Sequence, residues 1–305
     1  KPMEGFKMNV IEVKHLTKDY GNQHGIFDIH FNVQEGEIFG YVGTNGSGKT
    51  TTIRHLMGFL KPDNGSVTIL GMDAVTQACE IKKYIGYVPG EIAFPDLSTG
   101  TEFLHAQAEL LHLKDMSYAN YLIQKLQLDT SAKLKRMSKG MKQKTAIVAA
   151  LMADPKIIIM DEPTTGLDPL MRLAFIDIIL EEKKKGKTIF MSSHIFEEIE
   201  STCDKVALIK NGHLVSVADM NQIRNHNIKT YQIGFQLKKD YQAFSKLDYT
   251  ITKKDSSSLQ LTIQIENEKI NQLFSDLAQF TIKNINEIKY DLETYFDSLF
   301  LKEEK

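Results

Sequence analysis

A chain of 305 residues, 42% of them apolar, is long enough for one large domain or two ordinary ones and can bury a real core. Its 37 Lys and Arg against 39 Asp and Glu leave a net charge of −2, which gives no electrostatic footprint for nucleic acid. No run approaches the ~18 apolar residues that span a bilayer, no signal peptide is evident, and two distant cysteines without a C-x-x-C pair, Cys79 and Cys203, fit a reducing cytosol. A soluble chain is expected, with any membrane role running through a partner.

The seven residues before Met8 are expected to include an expression scar and are set aside from the fold. From Met8 to about Val217 strand and helix patterns alternate. Strands are expected at Val10–Val13, Phe27–Val33, Gly36–Val42, Ser66–Ile69, Ile85–Val88, Lys156–Met160, Thr188–Ser192 and Val206–Lys210. The run Ile157-Ile158-Ile159-Met160 is apolar on both faces, the pattern of an interior parallel strand. Asp63-Asn64-Gly65, Asp154-Pro155 and Asn211-Gly212 signal turns. Between about residues 94 and 150, Phe103, Leu104, Ala108 and Leu111 recur at helical spacing, as do Tyr121, Leu122, Leu126 and Leu128. A helical insertion therefore interrupts the α/β core.

Near Met220 the composition shifts toward Asn, Gln and Lys. Tyr231-Ile233-Phe235-Leu237 and Leu259-Leu261-Ile263-Ile265 alternate as strands do, and Asp255-Ser256-Ser257-Ser258 marks a turn. Ile270, Leu273, Phe274 and Leu277 form a helical stripe, and Leu292, Phe296, Leu299 and Phe300 another. The order β-α-β-β-α-β-α is the split βαβ arrangement with a last helix. It predicts a small α+β domain over residues 222–305, after an α/β domain over residues 8–218. The last stripe completes that domain's core or packs against a second copy.

The chemistry is concentrated in Gly43-Thr44-Asn45-Gly46-Ser47-Gly48-Lys49-Thr50, which fits G-x-x-x-x-G-K-[ST] at every position. Glycines let the backbone wrap a phosphate chain with its N–H groups inward. Lys49 reaches the outer phosphates, and the Thr50 hydroxyl can ligand Mg²⁺. A buried strand precedes the loop, and a helix opening at Thr51 follows it, so the helix dipole also favours an anion. Gly43, Asn45, Gly46, Ser47, Gly48, Lys49, Thr50 and Thr51 are thus the candidate phosphate-binding residues of a nucleoside triphosphate site. Such a site also needs an acid at the tip of a second core strand. Asp161 emerges there to hold Mg²⁺, and Glu162 follows, placed to accept a proton from, or orient, an attacking water. Read locally, Asp161-Glu162 before Pro163 would also serve as helix-capping chemistry.

Further motifs resemble those of the ABC ATPases. Met137-Ser138-Lys139-Gly140-Met141-Lys142-Gln143 is similar to that family's signature sequence, and Asp161 to Pro169 to its Walker B and D-loop run. His194 falls where the family has its switch histidine, and Tyr20, in Lys18-Asp19-Tyr20-Gly21, matches the aromatic that stacks on adenine. The resemblance covers residues 8 to 217. It implies a RecA-like core with a β subdomain and a helical subdomain. It also implies two copies packed head to tail, each ATP lying between the P-loop of one and Ser138, Lys139, Gly140 and Asp168 of the other. Glu162 and His194 are the implied catalytic pair.

Two positions depart from the family. Lys139 stands where glycine is common, a cation beside a triphosphate. In Ile85-Gly86-Tyr87-Val88-Pro89-Gly90-Glu91, Gly90 occupies the place of the Q-loop glutamine. Neighbouring Glu91 is the candidate to replace it at the metal, against a reading in which Gly90 is a hinge and Glu91 is solvated. Thr252-Lys253-Lys254-Asp255 fits a guanine-recognition pattern but lies in the wrong domain, and it is set aside.

The resemblance implies an ATP-hydrolysing, Mg²⁺-dependent subunit at the inner face of the cell membrane. It would power a separate transmembrane permease, docked beside the loop at residues 90–94. The signature, the Pro-Gly-Glu loop and the small C-terminal domain look like those of bacterial exporters of drugs, lipids or amphipathic peptides. An importer subunit and a non-transport, nucleotide-gated ATPase are the alternatives.

Overall fold

The computed structural model describes residues 8–224 and 227–296. Two compact units divide the chain, one ending at Met220 and the other starting at Asn221.

The first unit opens with the antiparallel pair β1 (Asn9–Asp19) and β2 (Gly25–Gln34), then β3 (Ile38–Val42) and helix α1 (Lys49–Leu56). Strands β4 (Asn64–Ile69) and β5 (Met72–Asp73), helix α2 (Ala78–Lys82) and β6 (Ile85–Val88) follow. Helices α3 (Gly100–Leu110), α4 (Ser117–Lys125) and α5 (Lys139–Leu151) make up the insertion. The chain continues through β7 (Ile157–Asp161), α6 (Pro169–Lys184), β8 (Thr188–Ser193), α7 (Phe196–Thr202), β9 (Lys205–Lys210) and β10 (His213–Asp219), with α8 (Met220–Arg224) at the junction.

Two sheets result. The smaller has the order β2-β1-β4-β5 and is antiparallel; the larger runs β10-β9-β3-β8-β7-β6, parallel except for β10. Between them Phe31 of β2 meets Phe39 and Tyr41 of β3 and Phe190 of β8, ring centroids 5.1–5.7 Å apart. These four buried rings form the centre of the core, each contributing a large apolar area in close offset or tilted contact. The β7 residues Ile157 to Met160 are all buried, as the two-faced apolar run requires.

Three strand features escape the hydrophobic pattern. Beyond Val13, β1 continues across register shifts, with His15 at φ 49°, so alternation is lost there. The short β5 has no room for a pattern. In β10 most residues are half-buried edge positions, which blurs the contrast that marks a strand.

The insertion is tied to the core by a polar cluster. Glu182, in the last turn of α6, is fully buried and accepts from the Tyr118 hydroxyl of α4 and from Lys185 Nζ at 2.6 Å. One turn along, Tyr121 and Lys125 both donate to Glu181 at 2.6 Å. Burial, then the Glu182 carboxylate, raise the Tyr118 pKa, so its hydroxyl stays protonated and donates.

In the second unit, β11 (Ile228–Phe235), α9 (Lys238–Phe244), β12 (Thr250–Asp255), β13 (Gln260–Glu266), α10 (Ile270–Leu277) and β14 (Ile282–Ile288) form an antiparallel sheet of order β12-β13-β11-β14. Tyr231, Ile233 and Phe235 face Leu261, Ile263, Phe244 and Leu273 in one core, which is the split βαβ packing. Leu292 and Phe296 of the last stripe are buried within the single chain. Leu299 and Phe300 lie outside the described residues.

Tyr118→Phe removes one donor from a carboxylate with no access to water, so it should lower stability by about 1–3 kcal/mol. A shift of the urea unfolding midpoint of the first unit measures this; an unchanged midpoint would show that the cluster contributes nothing.

Candidate functional site

Parallel pairing sets the site. Val42 of β3 pairs with Ser193 of β8, and Asp161 of β7 pairs with Ser192. The carboxyl ends of three adjacent strands therefore open at one edge, where open α/β sheets bind ligands. Out of β3 comes the loop 43–50. A Cβ on Gly43 would lie 2.4 Å from both Ile209 O and Ser47 Oγ, and Gly48 sits at φ +112° with Ile26 2.6 Å from a Cβ position. Glycine is required at both places, at the first for space and at the second also for conformation. Gly48 stands at the N-cap of α1 and offers no side-chain cap, leaving the helix's first N–H groups for a ligand. Ser47 Oγ is buried and has no protein partner. Lys49, also buried, donates to Gly43 O (2.7 Å) and Thr44 O (3.1 Å), so the amine is pinned over the loop it serves.

The acids face this loop. Thr50 Oγ1 donates to Asp161 Oδ2 at 2.7 Å, and Ser192 Oγ donates to Asp161 Oδ1 at 2.6 Å. Asp161 is buried, so both of its oxygens are fixed. Glu162 turns the chain at φ 48°, its N–H donating to Ser192 Oγ at 3.0 Å. Its carboxylate lies 3.2 Å from Lys49 Nζ and 3.3 Å from His194 Nδ1, and accepts from Thr165 Oγ1. Burial pushes the Glu162 pKa up, but the Lys49 ammonium, with help from His194 and Thr165, outweighs it and holds the carboxyl below the usual range. Ser192 and Thr165 are among the site residues that motif reading does not single out. Ser192 stands two residues before His194, and only the β7–β8 pairing reveals its target.

A cavity of about 330 Å³ opens beside the loop, lined by Tyr20 and His24 on one side, by residues between Asn45 and Thr51, and by Glu162. Tyr20 is 55% exposed, leaving its ring face free for a flat group. Ser138, Lys139, Gly140 and Asp168 do not line this cavity. Ser138 caps α5 by accepting from Met141 N–H (3.2 Å), and Asp168 caps α6 by accepting from Met171 N–H (2.9 Å). Gly140 is packed on the Gly166 carbonyl, 2.6 Å from a Cβ position. Glu91 is exposed and takes part in none of the site's hydrogen bonds or ion pairs. Among the described residues no cluster of three or more His, Cys, Asp and Glu is placed to hold a metal ion. Thr50 and Asp161, joined by their hydrogen bond, are the oxygen donors nearest the loop, of the kind that Mg²⁺ uses together with substrate phosphates.

The ABC transporter family profile matches residues 26–165. The bacitracin transport ATP-binding protein BcrA of Bacillus licheniformis is 33% identical over 303 residues, covering 95% of this chain and 97% of the relative. The chain belongs to the ABC transporter ATP-binding proteins. The ABC ATPase is also 33% identical over 213 residues to the linearmycin resistance ATP-binding protein LnrL of Bacillus subtilis, 68% of each chain. A solved ATP-binding subunit of an ABC transporter superposes with a TM-score of 0.64 at 32% identity, covering 71% of this chain and 92% of that one. The family is one of ATP-binding, ATP-hydrolysing transporter subunits, and the P-loop run at residues 43–50 falls inside the matched segment.

Because the folded pKa of Glu162 is depressed, its ionisation contributes stability above the ordinary value of 4.5, and that contribution is lost as pH falls through the folded value. In Lys49→Ala the titration should move upward. A ¹³C-carboxyl NMR titration of Glu162 reads this directly; an unmoved midpoint would show that Lys49 is not the group holding it down.

Proposed function

We propose that the chain binds Mg²⁺·ATP beside the P-loop, closes head to tail on a second copy, and powers a separate permease that exports drugs, lipids or amphipathic peptides. The observation that carries this is the contact network of Lys49, the Thr50–Asp161–Ser192 clamp and the Glu162–His194 pair, whose members Lys49, Thr50 and Glu162 line one cavity.

The phosphate chain fits the free N–H groups of α1 and the unpartnered Ser47 hydroxyl. Thr50 and Asp161 would hold magnesium, which neutralises phosphoryl charge when bound. Glu162, kept ionised by Lys49, is ready to take a proton from water, and His194 steadies the same carboxylate. The Tyr20 ring offers a stacking face to the base.

Ser138 and Lys139 are exposed at the start of the 13-residue helix α5. A second copy's γ-phosphate could meet that dipole and the Lys139 ammonium there. The exposed Asp168 begins the neighbouring helix and would sit at the same junction.

Among the described residues no helix is long and apolar enough to cross a membrane, so a spanning partner is assigned. Its short cytoplasmic helix would fill the groove of about 300 Å³ beside Pro89, Phe94, Phe103 and Leu111, holding the subunit at the inner membrane face. Export is favoured because the bacitracin transport relative matches along nearly its whole length, second unit included, and another relative serves linearmycin resistance.

Glu162→Gln should cut turnover by about 10²–10⁴-fold, the usual range for removal of a general base. It should also trap an Mg²⁺·ATP-dependent dimer that light scattering detects and wild-type turnover disperses. A variant that binds ATP yet stays monomeric would sink head-to-tail closure by the subunit alone.

A further inference from the structure

We infer that Gly90 lets the loop backbone close directly on the metal-site carboxylate, and that this site excludes the glutamine which the resemblance leads one to expect there. The inference rests on the reading of Thr50 and Asp161 as the magnesium residues.

Strand β6 pairs in parallel with β7 up to Val88 opposite Met160. The chain leaving β6 therefore passes beside Asp161, the next residue of β7. A Cβ on Gly90 would stand 2.9 Å from Asp161 Oδ2, 3.1 Å from its Cγ and 3.5 Å from its Cβ. Gly90 is not among the glycines of positive φ, so other residues could adopt its backbone conformation. The objection to a side chain is purely one of space.

Asp161 cannot step aside cheaply. It is 1% exposed, with Oδ2 held by Thr50 and Oδ1 by Ser192. A side chain at 90 presses on Oδ2, the oxygen shared with Thr50. Either the loop lifts or the Thr50–Asp161 contact breaks, and both disturb the metal position. Glycine also leaves no carboxamide to offer the metal, and exposed Glu91 makes none of these contacts. Water is then the natural donor for the remaining positions, since Mg²⁺ usually keeps several waters.

The test uses the full chain with ATP and Mn²⁺ as an EPR-visible probe, comparing wild type with Gly90→Ala, Gly90→Gln and Asp161→Asn. Gly90→Ala adds only the Cβ. Both Gly90 variants should lose about tenfold or more in Mn²⁺ affinity, the lower end of the cost of disturbing a metal's supporting groups. ATP affinity in EDTA should be unchanged, which also shows that the variants fold. Mn²⁺ binding by Gly90→Gln as tight as wild type, or tighter, with Asp161→Asn impaired, overturns this inference alone. Unchanged Mn²⁺ binding in Asp161→Asn overturns the metal assignment and this inference with it.

Discussion

The site depends on one carboxylate held at both oxygens. Asp161 sits at the tip of β7, with Thr50 from the P-loop helix on one side and Ser192 from β8 on the other. Each partner comes from a different segment, and each is placed by the parallel register of β3, β8 and β7. A one-residue slip in that register would turn Asp161 to the other face of the sheet. The four aromatic rings behind these strands and the buried Ile157–Met160 run therefore do more than fill a core. They fix the register that brings hydroxyl, carboxylate and lysine together.

The same register explains the pairing of Glu162. Its left-handed backbone turns the chain just after the strand and aims its N–H at Ser192 and its side chain at Lys49 and His194. Positive φ in a non-glycine residue costs energy, and such strain persists where surrounding contacts over-determine it. Here the contacts are the two to Ser192, from backbone N–H to Ser192 O and Oγ, together with the ion pair to Lys49.

Much of this was legible in the sequence because it is local. The P-loop is a contiguous run with a fixed spacing, and Ile157–Met160 announces a buried strand ending in acids. The family resemblance supplied His194 and Tyr20. What sequence could not supply was set by tertiary contact. Ser192 is one serine among many until β8 lies against β7. Tyr118 and Glu182 stand 64 positions apart and meet only when α4 packs on the end of α6. β10 and the far half of β1 lack the apolar alternation that would mark them. Gly90 is the instructive case: as sequence it reads as a missing glutamine, whereas the structure gives a packing reason for it, the close approach to Asp161.

Charge finally explains why the parts must act together. Asp161 and Glu162 are adjacent carboxylates, and Lys49 is the one ammonium within ion-pair distance of Glu162 among the described residues. A triphosphate entering this cavity brings further negative charge against two fixed acids at reduced dielectric, where like charges repel strongly. Lys49 cannot serve all of them, since its three N–H donors already face Gly43 O, Thr44 O and Glu162. The proposed binding mode meets this with a divalent cation on Asp161, with the unused N–H groups of α1, and with Lys49 shared between Glu162 and phosphate. With Glu162 as the proposed base, the ammonium that holds it ionised is the one a nucleotide would also draw on, which would link occupancy of the site to the charge state of that carboxylate.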